Sequence, residues 1–213
     1  EKTRQYLERY TRLFGEYPYG RFAVVENRRP TGLAMPTFTL LGQQVARLPF
    51  ILDTSLGHEV LHSWLGNAVG TKPGQGNWVE GLSTYLADHA YAAEEGRGVA
   101  FRKNQLIKYQ SYVSGNSTLT VRQFSSPGGH GAADRAVRAV GYNKCAMIFH
   151  MLRRRVGEED FRKALRFFYQ NNKFGRAGWQ EIKESFSETS GLDLSAFFEQ
   201  WLTRSDVPRL DIR

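Results

Sequence analysis

Apolar residues recur at helical spacing through most of this chain. Between Thr3 and Phe14, the positions Tyr6, Leu7, Tyr10, Leu13 and Phe14 share one helix face. Gly15 and the cluster Tyr17-Pro18-Tyr19-Gly20 end that helix. Phe22-Ala23-Val24-Val25 reads as a short strand. A second extended stretch runs from Ala34 to Leu41, and its Pro36 fits a sheet edge or a break. After Pro49 the pattern turns helical and predicts helices near 50–68, 79–95, 99–113, 143–156, 158–171, 179–189 and 194–204. Loops over 69–77, 114–140 and 172–178 separate them. The long one is glycine-rich around Ser125-Ser126-Pro127-Gly128-Gly129-His130-Gly131, and loops of that length tend to be functional or disordered. A small sheet followed by many helices is an α+β fold, mostly α. We expect one domain over 1–213, with a sheet region at 15–48, a helical pair at 50–95 and a helical C-terminal portion at 99–204.

Composition narrows the class. With 213 residues, 41% hydrophobic and 23% charged, the chain can bury a substantial core. Its lone Cys145 excludes an internal disulfide framework and a cysteine-based zinc cluster. No run approaches 18 uninterrupted apolar residues, so no transmembrane segment is expected. The chain opens at Glu1 on a polar helical run without a signal-peptide core, and it reads as a piece of a longer protein whose compartment is not encoded here. The net charge of +8 is concentrated between Met151 and Arg176. There the basic residues interleave at helical spacing with Leu152, Val156, Phe161, Leu165 and Phe168, which is the pattern of a solvated helix face. Nucleic-acid binding would need the aromatics on the basic face, and here they fall on the apolar one.

The chemistry lies in His58-Glu59-Val60-Leu61-His62. On a helix, positions i and i+4 share a face, so both imidazoles can reach one metal ion. Glu59 is then placed to activate a water as general base. Chance produces such a motif in a chain of this composition at a rate of roughly 0.8%, low but insufficient by itself. Leu61, Trp64, Leu65 and Ala68 supply the apolar stripe that buries the helix. The candidate third ligand of a two-histidine, one-carboxylate site is Glu80, in the first turn of the helix opening at Trp78-Val79-Glu80-Gly81; alone it reads as an ordinary first-turn acid, and the preceding motif reverses that reading.

His58-Glu59-x-x-His62-Ser63-Trp64-x-Gly66-Asn67, followed by Trp78-x-Glu80-Gly81 and Tyr85, resembles the aminopeptidase N family of gluzincin zinc metallopeptidases. Gly141-Tyr142-Asn143-Lys144-Cys145-Ala146 resembles that family's Tyr-Glu-Lys-Gly-Ala segment. The stretch from Gly157-Glu158-Glu159-Asp160-Phe161 through Asp193-Leu194-Ser195 to Val207-Pro208 extends the likeness. The resemblance implies a thermolysin-like catalytic domain and one zinc ion held by His58, His62 and Glu80. It also implies Glu59 as general base, Tyr142 as donor to the oxyanion, a peptide substrate, and an additional N-terminal domain in the parent protein.

Two departures matter. His62 and Glu80 are 18 positions apart, one fewer than the family pattern, so the loop between them must absorb the register. The family's Gly-x-Met-Glu-Asn motif, whose glutamate binds the substrate's free amine, has Leu33-Ala34-Met35-Pro36-Thr37 as its nearest match. Pro36 carries no charge, and Glu26 is the one candidate substitute, although it reads more simply as a strand-end surface acid. The implied function is aminopeptidase-like peptide hydrolysis. The alternatives are a peptidase that does not require a free N-terminus, or an inactive metal-binding scaffold for a peptide or partner. A scaffold has no need of Glu59. His130 reads as an exposed loop residue, His89 and His150 as packing or surface residues, and Cys145 as a small buried hydrophobe.

Overall fold

A computed structural model describes residues 1–28, 32–48, 51, 54–113, 118–127 and 131–205, apart from the side chain of residue 45. His130, Phe50 and Val207-Pro208 lie outside the described residues. The architecture is the expected α+β, with 63% of the described residues in helix and 11% in strand.

Helix α1 (Lys2–Phe14) buries Tyr6, Tyr10 and Phe14, as its apolar stripe requires. It packs across the back of the helix that carries His58. Tyr10 hydroxyl meets Tyr91 hydroxyl, and Trp64 Nε1 donates to the Gly15 carbonyl at 3.2 Å. A three-stranded sheet follows in the order β1-β3-β2. Strands β1 (Ala23–Asn27) and β3 (Phe38–Gly42) run parallel, and β2 (Gly32–Met35) pairs antiparallel with β3. The extended stretch expected over 34–41 is therefore a hairpin, not one strand. Pro36 and Thr37 form its turn, where the missing N–H of proline costs no ladder bond.

A short α2 (Gln43–Ala46) leads to α3 (Ser55–Leu61). The helix expected over 50–68 is shorter than its pattern. Beyond Leu61 the amides of Asn67, Ala68 and Val69 bond five residues back to His62, Ser63 and Trp64, and the chain turns at Gly66. Leu61, Trp64, Leu65 and Ala68 are nonetheless all fully buried, so the apolar pattern reports burial where the helix has already ended. The expected loops 69–77 and 172–178 each contain a strand. β4 (Val69–Thr71) and β5 (Gly175–Ala177) pair in parallel, and three residues are too few to leave a period-2 signature.

The second site helix is continuous but not uniform. α4 (Trp78–Ser83) passes through a wide i→i+5 stretch at Thr84–His89 into α5 (Ala90–Glu94). Asn77 caps it by accepting from the Val79 amide at 3.1 Å. α6 (Gly98–Tyr112) leads to a single 3₁₀ turn at Val121–Gln123. The expected loop 114–140 then ends early. α7 (Ala132–Arg138), a second wide stretch at Ala139–Lys144 and α8 (Cys145–Val156) form another continuous helix. α7 buries none of its residues, so no apolar stripe announces it. α9 (Glu158–Asn172), α10 (Trp179–Ser190) and α11 (Ser195–Thr203) complete the fold close to their predicted bounds.

The core runs through Trp64, Trp78, Phe149, Phe161, Phe168 and Phe186, all nearly or fully buried. Along 151–176, Leu152, Val156, Phe161, Leu165 and Phe168 face this core, while Lys163 pairs with Glu159 at 2.7 Å and Arg153 pairs with Glu158. Gly81 on α4 sits directly against Cys145 on α8, so a Cβ at 81 would collide with the buried thiol. That close approach sets Glu80 and Tyr142 on facing helices.

Candidate active site

The cleft has a volume of about 470 Å³ and lies between β2, α3, α4 and the helix carrying Tyr142. His58, Glu59, His62, Glu80 and Tyr142 all line it, so the five residues singled out from sequence converge on one place.

Each imidazole is fixed from behind. His58 Nδ1–H donates to Asp88 Oδ2 at 3.0 Å, and His62 Nδ1–H donates to the Leu65 carbonyl at 3.1 Å. In the neutral imidazoles both acceptors dictate the same tautomer, which turns the Nε2 lone pair into the cleft. The two Nε2 atoms stand 3.7 and 3.8 Å from the same Glu80 oxygen, Oε2. Ligand atoms of His58, His62 and Glu80 lie within 4.8 Å of one another. The 18-position interval from His62 to Glu80 thus still brings both to one place.

The electrostatics follow from burial and close charges. Burial pulls the His58 imidazole down, but Asp88, Glu80 and Glu59 outweigh it and hold its pKa well up. His62 is held down by burial and by His58. Burial pushes Glu80 up, yet His58, His62 and Tyr142 bring it to about 2, so it is a carboxylate at any physiological pH. Glu59 goes the other way. Burial raises it to about 7, with Glu80 and Asp88 reinforcing the rise against His58. Tyr142, raised by burial and by Glu80, keeps its proton.

Residues that sequence reasoning missed complete the site. Asp88 carried no signal, although it lies on the same helix as Glu80. Gly32 of β2 faces the general-base candidate so closely that a Cβ there would collide with Glu59 Oε1. Arg138, one helical turn before Tyr142, also lines the cleft. The described end of the glycine-rich loop closes this side, where Asn77 Nδ2 donates to Ser126 Oγ at 2.9 Å and Arg138 Nη2 to the Pro127 carbonyl at 3.1 Å.

The sequence match for the amine-binding motif falls outside this cleft at its critical position. Gly32, Leu33 and Ala34 line it, whereas Pro36 sits in the hairpin turn. Glu26 is on β1, the far edge of the sheet. It shares Leu41 as register neighbour with Gly32, two strand spacings or about 9–10 Å away, and it is exposed. Among the described residues, the carboxylates lining the cleft are Glu59 and Glu80. His89 and His150 pack outside it. His89 is buried, stacks on Tyr85 and contacts Arg102 Nη1 at 2.8 Å.

Two histidines and a carboxylate meet here on a fold that matches solved zinc metallopeptidases. The family model described as the peptidase family M1 domain matches residues 51–201, and the chain belongs to that family. Aminopeptidase N of Lactococcus lactis subsp. lactis is 24% identical over 157 residues, covering 72% of this chain and 18% of the relative. The alanine/arginine aminopeptidase of Saccharomyces cerevisiae is 21% identical over 211 residues, covering 93% and 25%. Among solved structures, the M1 zinc metallopeptidase of Deinococcus radiodurans superposes with a TM-score of 0.75 at 20% identity, over 98% of this chain and 45% of that one. Native yeast LTA4 hydrolase gives 0.74 at 17% identity, over 100% and 36%. The chain therefore spans about a quarter or less of these two curated relatives and under half of these solved chains.

Proposed function

We propose that this chain is the catalytic domain, over its whole length, of a zinc-dependent peptidase whose parent protein carries further domains. His58, His62 and Glu80 hold one zinc ion, Glu59 is the general base, and Tyr142 donates to the oxyanion. The observation that supports this most strongly is the convergence of two Nδ1-anchored histidines on one oxygen of an ionised carboxylate. Two imidazole nitrogens and one carboxylate oxygen, with the cleft open in front of them, suit a catalytic zinc site.

When bound, zinc polarises the peptide carbonyl and makes a water molecule acidic enough to attack it near neutral pH. Glu59 accepts the proton of that water and returns it to the departing amine. The protonated Tyr142 hydroxyl, across the cleft on the facing helix, donates to the charge developing on the carbonyl oxygen. Gly32 gives Glu59 room beside the edge strand β2.

The curated relatives are named as aminopeptidases. A second reading applies here, a peptidase indifferent to the substrate's N-terminus, because the cleft's carboxylates among the described residues are both committed to the zinc site and the base. Hydrolysis of a peptide panel tests the common core of both readings. Activity should vanish on chelation and return with zinc. Glu59→Gln should keep the metal and lose activity, since an amide cannot take the proton, and Tyr142→Phe should keep the metal and lose roughly 10²–10³ in kcat. Hydrolysis by Glu59→Gln at the wild-type rate would overturn the mechanism.

A further inference from the structure

Tyr142 is held by a segment of chain to which the peptidase mechanism gives no role. Residues Phe124 to Pro127 lie between the helix that carries Glu80 and the helix that carries Tyr142, and they touch both. On the Glu80 side, the Asn77 amide donates to the Phe124 carbonyl at 2.8 Å, and Asn77 Nδ2 donates to Ser126 Oγ at 2.9 Å. On the Tyr142 side, the buried Phe124 ring meets the Tyr142 ring edge-on with centroids 5.9 Å apart, and the Pro127 carbonyl accepts from Arg138 Nη2 at 3.1 Å. The Phe124 ring fits there because residue 141 is glycine, where a Cβ would strike it. Ser126 is thereby set beside the Tyr142 hydroxyl, whose hydrogen-bond partners are the Ser126 side chain on one side and Glu80 on the other.

The two ends of this row of groups fix the direction of every proton in it. Asn77 Oδ1 accepts from the Val79 amide at 3.1 Å, so the end of the side chain that faces Ser126 is the NH₂ group, a donor only. Ser126 Oγ therefore accepts from Asn77, which leaves its own proton for Tyr142. At the other end, the Glu80 carboxylate can only accept, so Tyr142 turns its proton toward the cleft and takes the Ser126 proton on its oxygen. A hydroxyl that accepts one hydrogen bond is the stronger donor in the next, because linked bonds polarise one another. Ser126 is exposed, so burial does not account for its place. We propose that Ser126 is a positioning residue for the reaction: oriented by Asn77, it donates to the Tyr142 oxygen and holds the Tyr142 O–H aimed into the cleft while charge develops on the substrate carbonyl. The proposal rests on the oxyanion role given to Tyr142 above and adds what sets that hydroxyl.

A double-mutant cycle separates positioning from a merely structural role. Zinc-loaded wild type, Ser126→Ala, Tyr142→Phe and the double variant are compared in peptide hydrolysis, with zinc content and melting temperature read for each. Ser126→Ala should lower kcat by about three- to tenfold with KM unchanged, the scale of one neutral hydrogen bond. Ser126→Thr, which keeps the hydroxyl, should recover most of that loss. In the Tyr142→Phe background Ser126→Ala should have no further effect, because the phenol oxygen it acts through is gone. The same cycle is read without turnover in the calorimetric binding of a phosphinic peptide, whose tetrahedral phosphorus carries oxygens that imitate the oxyanion, and the affinity ratios should follow the kcat ratios. Unchanged kcat and affinity in Ser126→Ala, or an equal loss in both backgrounds, would overturn the inference. Loss in Tyr142→Phe without loss in Ser126→Ala removes Ser126 and leaves the oxyanion donor standing. Wild-type kcat and affinity in Tyr142→Phe remove the oxyanion reading and this inference with it. If no peptide is hydrolysed, the binding cycle alone decides.

Discussion

Asp88 Oδ2 lies 3.0 Å from His58 Nδ1, on the side of the imidazole away from Glu80. This carboxylate–histidine pair fixes the ring's orientation and raises the electron density on the nitrogen that faces the cleft. Asp88→Asn retains the shape and loses the charge. It should weaken zinc binding by about 10–100-fold, measured by competition with a calibrated chelator. An unchanged zinc affinity would reduce Asp88 to a surface acid.

Substrate choice should depart from a strict exopeptidase. An enzyme that trims only free N-termini needs an anion to hold the ammonium, because burying that charge unpaired is costly. Pro36 is in a turn, Glu26 is exposed two strands away, and the carboxylates that line the cleft among the described residues are Glu59 and Glu80. Matched peptides, one with a free amine and one acetylated, should therefore be cleaved at comparable rates when digested side by side and read by mass spectrometry. Removal of single residues from the free peptide, with the acetylated one intact, would restore the aminopeptidase reading.

Stability should fall in mildly acidic solution through two histidines remote from the chemistry. His89 is held down to about 4 by burial, then Arg102, His150 and Arg153, and His150 to about 4 by burial, then Arg102, Arg154 and Arg153. An unfolded histidine titrates near 6.5, so between that pH and about 4 the unfolded chain binds protons that the folded chain refuses. Their contribution is complete above about 6.5 and is lost as pH falls through that window. Thermal midpoints measured from pH 7 to 4.5 should drop more steeply for wild type than for His89→Gln/His150→Gln. Parallel curves would contradict this.

The part of the site that was legible in sequence is the part written at helical spacing. His58 and His62 are one turn apart, and that relation survives even though α3 ends at Leu61. Asp88 was illegible for a definite reason. Eight residues past Glu80, it would stand about 80° around a regular helix from it. The wide stretch at Thr84–His89 takes up about one extra residue and brings Asp88 back onto the site face, and such turns leave no apolar period to detect. Arg138 was hidden in the same way, within a helix that buries nothing and read as loop. The small sheet was read in outline, but a four-residue strand and its proline turn merged into one stretch because the hairpin has no glycine or asparagine pair to announce it. What the pattern of apolar residues reports faithfully throughout is burial, as Trp64 and Leu65 demonstrate beyond the end of their helix.

The central claim is that His58, His62 and Glu80 together hold one zinc ion. Elemental analysis of the protein, purified without added metal, tests it directly when set beside Glu80→Ala prepared in parallel. The account predicts about one zinc per wild-type chain and a large loss in Glu80→Ala, whose two remaining histidines cannot complete a three-ligand site. Stoichiometric zinc retained in Glu80→Ala, or no zinc in the wild-type chain even after zinc is supplied, would contradict it.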